Sequence, residues 1–218
     1  IPVLSTIPGG EVVDELPMTM ETEDFLCKCH PQIDMRRRVE RMIRVAEYQE
    51  RQCTLQDQAN RDYLTGLLNR RGLWTAIDYL RSEDLPLVIM LFDLDNLKEV
   101  NDTWGHEKGD QMLQFFTELL RSQTRSDDIL CRYGGDEFLV ILKHLNNEKT
   151  AMKKGSDICR LFCEQFDGGN ISVSCSAGIA ISGIDKKPSE KLIECADKAM
   201  YRAKQENKGG CCMWGSDI

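Results

Sequence analysis

The chain has 218 residues, 41% hydrophobic and 29% charged, enough to bury a core and to form one catalytic-sized domain with an appendage. Acidic residues outnumber basic ones by 36 to 28, and the net charge of −8 excludes a surface built to grip a nucleic-acid polymer. The longest strongly apolar stretch, Leu87 to Leu94, is far shorter than the ~20 residues that cross a bilayer, and no basic-then-apolar leader opens the sequence, so no membrane is expected in this segment and the expected location is cytoplasmic.

The ten cysteines are scattered through apolar-patterned segments, and no two have the C-x₂-C spacing of a structural zinc site. Cys159 and Cys163, four apart in a helical pattern, suit small core hydrophobes. Cys27-Lys28-Cys29-His30 has metal-ligating residue types but no second ligand pair at a finger spacing. Reduced thiols are the expectation.

Residues 32–60 lack proline and glycine and are densely charged, which predicts a long exposed helix. Met35, Val39, Met42, Ala46, Gln49, Cys53 and Gln56 alternate at spacings of four and three, the seam of a helix that pairs with another. Beyond Asn60 the pattern is mixed. Leu73, Trp74, Ile77 and Leu80 mark an amphipathic helix, Leu87 to Leu94 a buried strand, and Met112 to Leu120 a second helix. Ile129 to Tyr133 and Phe138 to Leu142 flank Gly134-Gly135, a pair suited to the positive φ of a tight hairpin turn. A helix over 148–166, a strand over 171–181, a helix over 188–205 and a strand near Met213 complete the order. The expected fold is α/β (α+β): a mixed central sheet containing a hairpin, with helices packed on it.

Four stretches carry chemistry. Phe92-Asp93-Leu94-Asp95-Asn96-Leu97-Lys98 ends the central strand, where alternation turns Asp93 and Asp95 one way and Leu94 the other. Carboxylates there call for a cation, and a hard ion such as Mg²⁺ would serve. Arg132-Tyr133-Gly134-Gly135-Asp136-Glu137-Phe138 puts two acids directly after the turn, and a hairpin beside the first strand would bring one of them opposite Asp93. Acids from neighbouring strands suit metal-assisted phosphoryl transfer. In Val100-Asn101-Asp102-Thr103-Trp104-Gly105-His106-Glu107-Lys108-Gly109-Asp110, Asn and Asp can read a purine edge; a carboxylate accepts from the N1–H and amino group of guanine, a pair adenine lacks. Lys204 and Lys208 lie four apart at a helix end, a solvated cationic terminus or a phosphate site.

With Asp62-Tyr63-Leu64-Thr65-Gly66-Leu67-Leu68-Asn69-Arg70 before them, these motifs stand in the order of the GGDEF family of diguanylate cyclases, which the chain closely resembles from about Asp62 to Trp214. The resemblance implies a palm-like nucleotidyl-cyclase fold and condensation of two GTP into cyclic di-GMP with release of two pyrophosphates. It implies Asp93, the Leu94 carbonyl, Asp136 and Glu137 as ligands of Mg²⁺ or Mn²⁺, with Asp136 also accepting the proton and Lys98 stabilising the transition state. Asn101 and Asp110 would read guanine, His106 would touch substrate, and Lys204 and Lys208 would hold phosphates. Lys208 stands where the family often has arginine, which keeps the charge but loses the bidentate fork. Arg125 and Asp128 match the Arg-x-x-Asp product-inhibition motif. Two subunits must meet, and a paired stalk helix would raise their local concentration.

The first thirty residues, through Ile1-Pro2-Val3-Leu4-Ser5-Thr6 and Asp24-Phe25-Leu26-Cys27-Lys28, resemble the C-terminal part of a response-regulator receiver, without its phospho-acceptor strand. The expected organisation is therefore a partial receiver-like segment over 1–30, a stalk over 31–60 and the cyclase domain over 61–218. A silent nucleotide sensor, a cyclase of changed nucleotide choice and a dimerisation module are the alternatives. The retained acids argue against the first and third, and Asp110 against the second.

Overall fold

The computed structural model describes residues 3–6, 23–26, 31–166, 170–182, 190–206 and 209–215. They fall into two compact units, 1–58 and 59–218. In the first unit β1 (Val3–Thr6) and β2 (Glu23–Leu26) pair in parallel, followed by the 29-residue α1 (Pro31–Ala59). α1 covers the stretch without proline or glycine, and Met35, Val39 and Cys53 of its seam are exposed. Lys28 and the Cys27-to-His30 group lie outside the described residues.

The second unit opens with α2 (Arg70–Asp78), N-capped by Asn69, whose Oδ1 accepts from the Gly72 N–H at 2.9 Å. A 3₁₀ turn (Ser82–Asp84) leads into β3 (Leu87–Asp95), then α3 (Leu97–Trp104), α4 (His106–Gln123), β4 (Ile129–Arg132), β5 (Glu137–Lys143) and α5 (Glu148–Gln165). β6 (Ser174–Ile181), α6 (Glu190–Glu206) and β7 (Cys211–Met213) follow. The strands form one mixed sheet in the order β4-β5-β3-β6-β7, antiparallel throughout except for the β6–β7 pair.

β3 is central and buried along its whole length, so its apolar run needs cover on both faces. Its residues alternate between two cores. Val88, Met90, Phe92 and Leu94 pack with Phe116 of α4 and Phe162 of α5. Leu87, Ile89 and Leu91 pack with Leu73 and Ile77 of α2 and Ala196 and Met200 of α6. Burial of each large side chain contributes ~1.5–3 kcal/mol. Gly178 sets how close α6 can come, because a Cβ there would collide with the Ala196 carbonyl and the Met200 amide.

Several expectations change. α3 is an addition to the expected elements: Leu97, Val100 and Trp104 stand at the i, i+3, i+7 spacing of a helix face, but only Val100 is buried and eight residues are short for that pattern to stand out. β6 begins at Ser174 rather than 171. Cys163 is exposed, because the buried stripe of α5 runs through Ala151, Gly155, Ile158, Cys159 and Phe162 and misses it. Neither Gly134 nor Gly135 has a positive φ. The hairpin loop spans residues 133–136, and the Tyr133 and Gly134 amides both donate to the Glu137 carbonyl, at 2.8 and 3.2 Å, so no two-residue primed turn is needed.

Candidate active site

The site begins where the apolar rows of the sheet run out. On the α6 face, Leu87-Ile89-Leu91 of β3 continues as Asp93 and Asp95, and Ile141-Leu139 of β5 continues as Glu137. Ala180-Gly178 of β6 continues as Ser176 and Ser174. Antiparallel register sets Glu137 opposite Asp93 on one side and Ser176 opposite Asp93 on the other. The Leu94 amide donates to the Asp136 carbonyl at 3.0 Å, which draws the loop acid to the same strand end. Carboxylates therefore gather from two neighbouring strands, as the hairpin argument required.

Gly134 is explained by this crowding. A Cβ on it would stand 2.5 Å from Glu137 Oε2, so the missing side chain is the space the carboxylate occupies. Burial raises the Glu137 carboxyl above its ordinary value, and the nearby Asp93, Asp136 and Asp197 raise it further against the pull of Lys204. Asp93, 8% exposed, is also raised, first by burial and then by Asp136 and Asp95. Its bond to Lys204, Nζ to Oδ1 at 2.6 Å, opposes that shift without cancelling it. Lys204 comes from the last turn of α6, where a cation also meets the negative end of the helix.

Two adjoining clefts open here. The first, about 540 Å³, is lined by Asp93, Leu94, Asp95, Lys98, Asp136 and Lys204 among others. The second, about 510 Å³, shares Lys98 and Asp136 with it and adds Asn101, His106, Asp110 and Arg132. α3 presents Lys98 and Asn101, and α4 presents His106 and Asp110, from either side of Gly105, whose φ of +84° makes the sharp turn between the helices. Gly109 leaves room for Asn101: a Cβ there would overlap Asn101 Oδ1. Lys98, His106 and Asp110 are exposed, and Asn101 is half-buried. The structure thus assembles Asp93, Leu94, Lys98, Asn101, His106, Asp110, Asp136, Glu137 and Lys204 around one sheet end. Lys208 lies outside the described residues.

Arg125 and Asp128 lie elsewhere, in the turn before β4 and next to the far end of β5. Asp128 accepts from the Arg125 amide at 2.8 Å through Oδ2 and from the Lys143 amide at 3.1 Å through Oδ1.

Two sets of contacts lie beyond the reach of the sequence. Arg132 bonds both oxygens of Asp62 at 3.2 Å and the Gly135 carbonyl at 2.7 Å, clamping the acid-bearing turn to the opening motif. The Thr65 hydroxyl and amide also donate to Asp62, at 2.7 and 2.9 Å; burial opposes but does not outweigh these partners, and the Asp62 carboxyl lies below its usual value. An arginine ending a strand of a mostly apolar hairpin is the available signal, since a half-buried cation needs an acid. The other is the setting of Asp95, which stands out beside Asp93 in the sequence but is buried against serines 79 and 81 positions away, a pairing no local pattern reveals.

The donor set fits a hard divalent cation: all oxygen, buried at Asp93 and half-buried at Asp136 and Glu137, and carrying more negative charge than Lys204 offsets. Among the described residues no three acidic, His or Cys side chains form a ready-made cage. Mg²⁺ needs none, because it takes one or two carboxylates and fills its shell with water and phosphate oxygens.

Comparison with known proteins decides the family. The family described as diguanylate cyclase, GGDEF domain, matches residues 59–210. The chain belongs to the GGDEF family. The diguanylate cyclase DgcZ of Escherichia coli (strain K12) is 39% identical over 158 residues, covering 70% of this chain and 53% of that protein. The diguanylate cyclase DosC of the same organism is 36% identical over 165 residues, covering 72% of this chain and 35% of that protein. The chain thus spans about half or less of these relatives. Among solved structures, the active GGEEF domain of a diguanylate cyclase from Vibrio cholerae is 29% identical with a TM-score of 0.62, covering 69% of this chain and 99% of that one. The coiled coil and GGDEF domain of DgcB from Caulobacter crescentus, in complex with c-di-GMP, covers 84% of this chain and 100% of its own at a TM-score of 0.72; at 22% identity it speaks for the fold.

Proposed function

We propose that this GGDEF chain is a diguanylate cyclase, condensing two GTP into cyclic di-GMP and two pyrophosphates. The observation that carries the reading is the intact Asp136-Glu137 pair held opposite Asp93, at the mouth of clefts that also contain Asn101 and Asp110. Asn101 and the Asp110 carboxylate pair with the guanine edge, with His106 as a further contact. Lys98, exposed between the two clefts, meets the charge developing on the α-phosphate. Lys204 and Lys208 hold the outer phosphates. Asp136 accepts the proton of the attacking 3′-hydroxyl, and Glu137, whose proton affinity is raised, supports it from the next position. Asp93, the Leu94 carbonyl, Asp136 and Glu137 would hold Mg²⁺ or Mn²⁺, which when bound lowers the barrier to hydroxyl attack and spreads negative charge.

Each chain presents one such site, so two copies must face each other. The exposed seam of α1 provides the pairing surface, raising the concentration of one catalytic unit near the other. We assign residues 1–30 to a receiver-like remnant, 31–60 to the stalk and 61–218 to the cyclase domain, and Arg125 and Asp128 to a separate product-binding turn that inhibits catalysis. Arg125→Ala is then expected to remove inhibition by added cyclic di-GMP. Among the described residues no helix is long and apolar enough to cross a membrane.

A silent GTP or cyclic di-GMP sensor is the second reading, motivated by a relative named cyclic di-GMP phosphodiesterase PdeR, of Escherichia coli (strain K12). It is 36% identical over 178 residues, which cover 27% of that protein. Incubation with GTP and Mg²⁺, chromatography of the products, a size measurement and an Asp136→Ala control separate the two. Cyclic di-GMP from the wild type alone supports the cyclase; no product from a demonstrated dimer supports the sensor.

A further inference from the structure

Asp95 is an acid for which the proposed reaction has no task, yet it is buried at the catalytic end of the sheet, 6% exposed, and lines the cleft of Asp93 and Lys204. Its Oδ2 accepts two hydroxyl bonds from β6, from Ser174 at 2.7 Å and Ser176 at 3.0 Å. The Ser176 oxygen in turn accepts from the Gly209 amide at 3.3 Å. Gly209, at φ +83°, leads into β7 directly after Lys208 and five positions after Lys204. A Cβ on Gly209 would come 3.0 Å from the Ser174 Cβ, so this backbone lies directly against the serines.

A strand pair gains little from a buried carboxylate. An ionised group at such a position costs desolvation, and two hydroxyls satisfy but do not neutralise it. The relay accounts for the acid. A serine that donates to a carboxylate has its lone pairs free to accept, and the acceptor is strengthened by the charge behind it. Asp95 thereby orients both serine hydroxyls and leaves Ser176 facing the α6–β7 connection. Asp93 and Asp95, two residues apart on one face, reach the same connection by different routes: Asp93 through the Lys204 side chain, Asp95 through the backbone at Gly209.

We propose that Asp95 is a positioning residue that acts through Ser176 and Gly209 to anchor the chain that leaves α6, and so to hold the phosphate-binding Lys204 at the mouth of the cleft. The inference rests on the assignment of Lys204 to the GTP phosphates. It goes beyond that assignment in giving a buried, non-ligating acid control over GTP affinity.

The test compares Asp95→Ala, Asp95→Asn, Ser176→Ala and Ser174→Ala by equilibrium GTP titration, steady-state kinetics, Mg²⁺ half-saturation and thermal melting. Asp95→Ala is expected to weaken GTP binding about tenfold and raise KM alike, with kcat within about threefold of wild type. Asp95→Asn, whose amide oxygen still accepts from both serines, is expected to restore most of the affinity. Ser176→Ala should weaken binding more than Ser174→Ala, because it is the Ser176 hydroxyl that accepts from the Gly209 amide. Should Asp95→Ala not fold, the order of the two serine variants decides. Unchanged GTP affinity in a folded Asp95→Ala, or equal serine variants, would overturn the proposal. So would an Asp95→Asn that loses kcat and shifts Mg²⁺ half-saturation, which would make Asp95 a metal ligand. A wild type that binds GTP without turning it over sinks the cyclase reading alone, since the affinities are read without catalysis.

Discussion

The two ends of β5 treat their acids in opposite ways. At the Lys143 end, Asp84 bonds the Lys143 ammonium at 3.0 Å and the Arg81 amide at 2.8 Å, which hold its carboxyl below the usual range. Asp128 there has one backbone amide on each oxygen. At the Glu137 end, Asp93 and Glu137 face each other across the register, both raised by burial and by like charges, with Lys204 as the cation between. One strand therefore carries a saturated, structural acid cluster and an unsaturated one. Unsatisfied charge in a cleft is costly to a free protein and useful to one that must receive a cation and a polyphosphate.

If that contrast is right, damage at the two ends should appear in different measurements. The largest effect is expected from Asp93→Ala or Asp136→Ala, which should lower cyclic di-GMP formation at least about a hundredfold without loss of fold, read by product chromatography beside circular dichroism. Gly134→Ala comes next. Its new Cβ must displace the Glu137 carboxylate, and a drop in kcat of about tenfold or more with little change in melting temperature is expected. At the other end Asp84→Asn should cost about 1 kcal/mol in urea unfolding while kcat stays near wild type.

The smallest effect tests the contrast by pH. Because the folded protein raises the Glu137 carboxyl, it holds a proton that the unfolded chain releases. Its contribution to stability therefore falls as pH rises from about the ordinary 4.5 through the raised value. Glu137→Gln should raise the melting temperature at neutral pH, and the gain should vanish in acid. Asp84 has the reverse sign: its stabilisation is full above the ordinary 3.8 and is lost as pH falls through its lowered value, so Asp84→Asn should narrow its deficit in acid.

The sequence disclosed some of this and hid the rest for physical reasons. β3 and β5 were legible because buried strands are near-continuous apolar runs, and the acids at their ends stood out against them. A hairpin beside β3 puts one of its two acids opposite Asp93, and the β3–β5 register makes that acid Glu137. α3 was not read because its apolar spacing, Leu97-Val100-Trp104, spans only two turns, and its entry depends on Asn96 at a φ of +63°. The glycines of the turn suggest a positive-φ turn, yet neither has a positive φ, and Gly134 serves instead by having no volume. Lys204 meeting Asp93, Arg132 meeting Asp62 and Asp95 meeting its serines are contacts between residues 70 or more positions apart, which only the sheet order brings together.

Gly178 bears on the site from a distance. With α6 resting its backbone on β6, no layer of side chains separates helix from strand there, and the helix has little freedom to slide or tilt. The reach of Lys204 is thus gauged by a contact in the middle of the helix, some way from the charge it delivers. A single methyl at Gly178 would act as a shim under a lever: the largest displacement would be felt at the ammonium, while the carboxylates it serves stay where the sheet has put them.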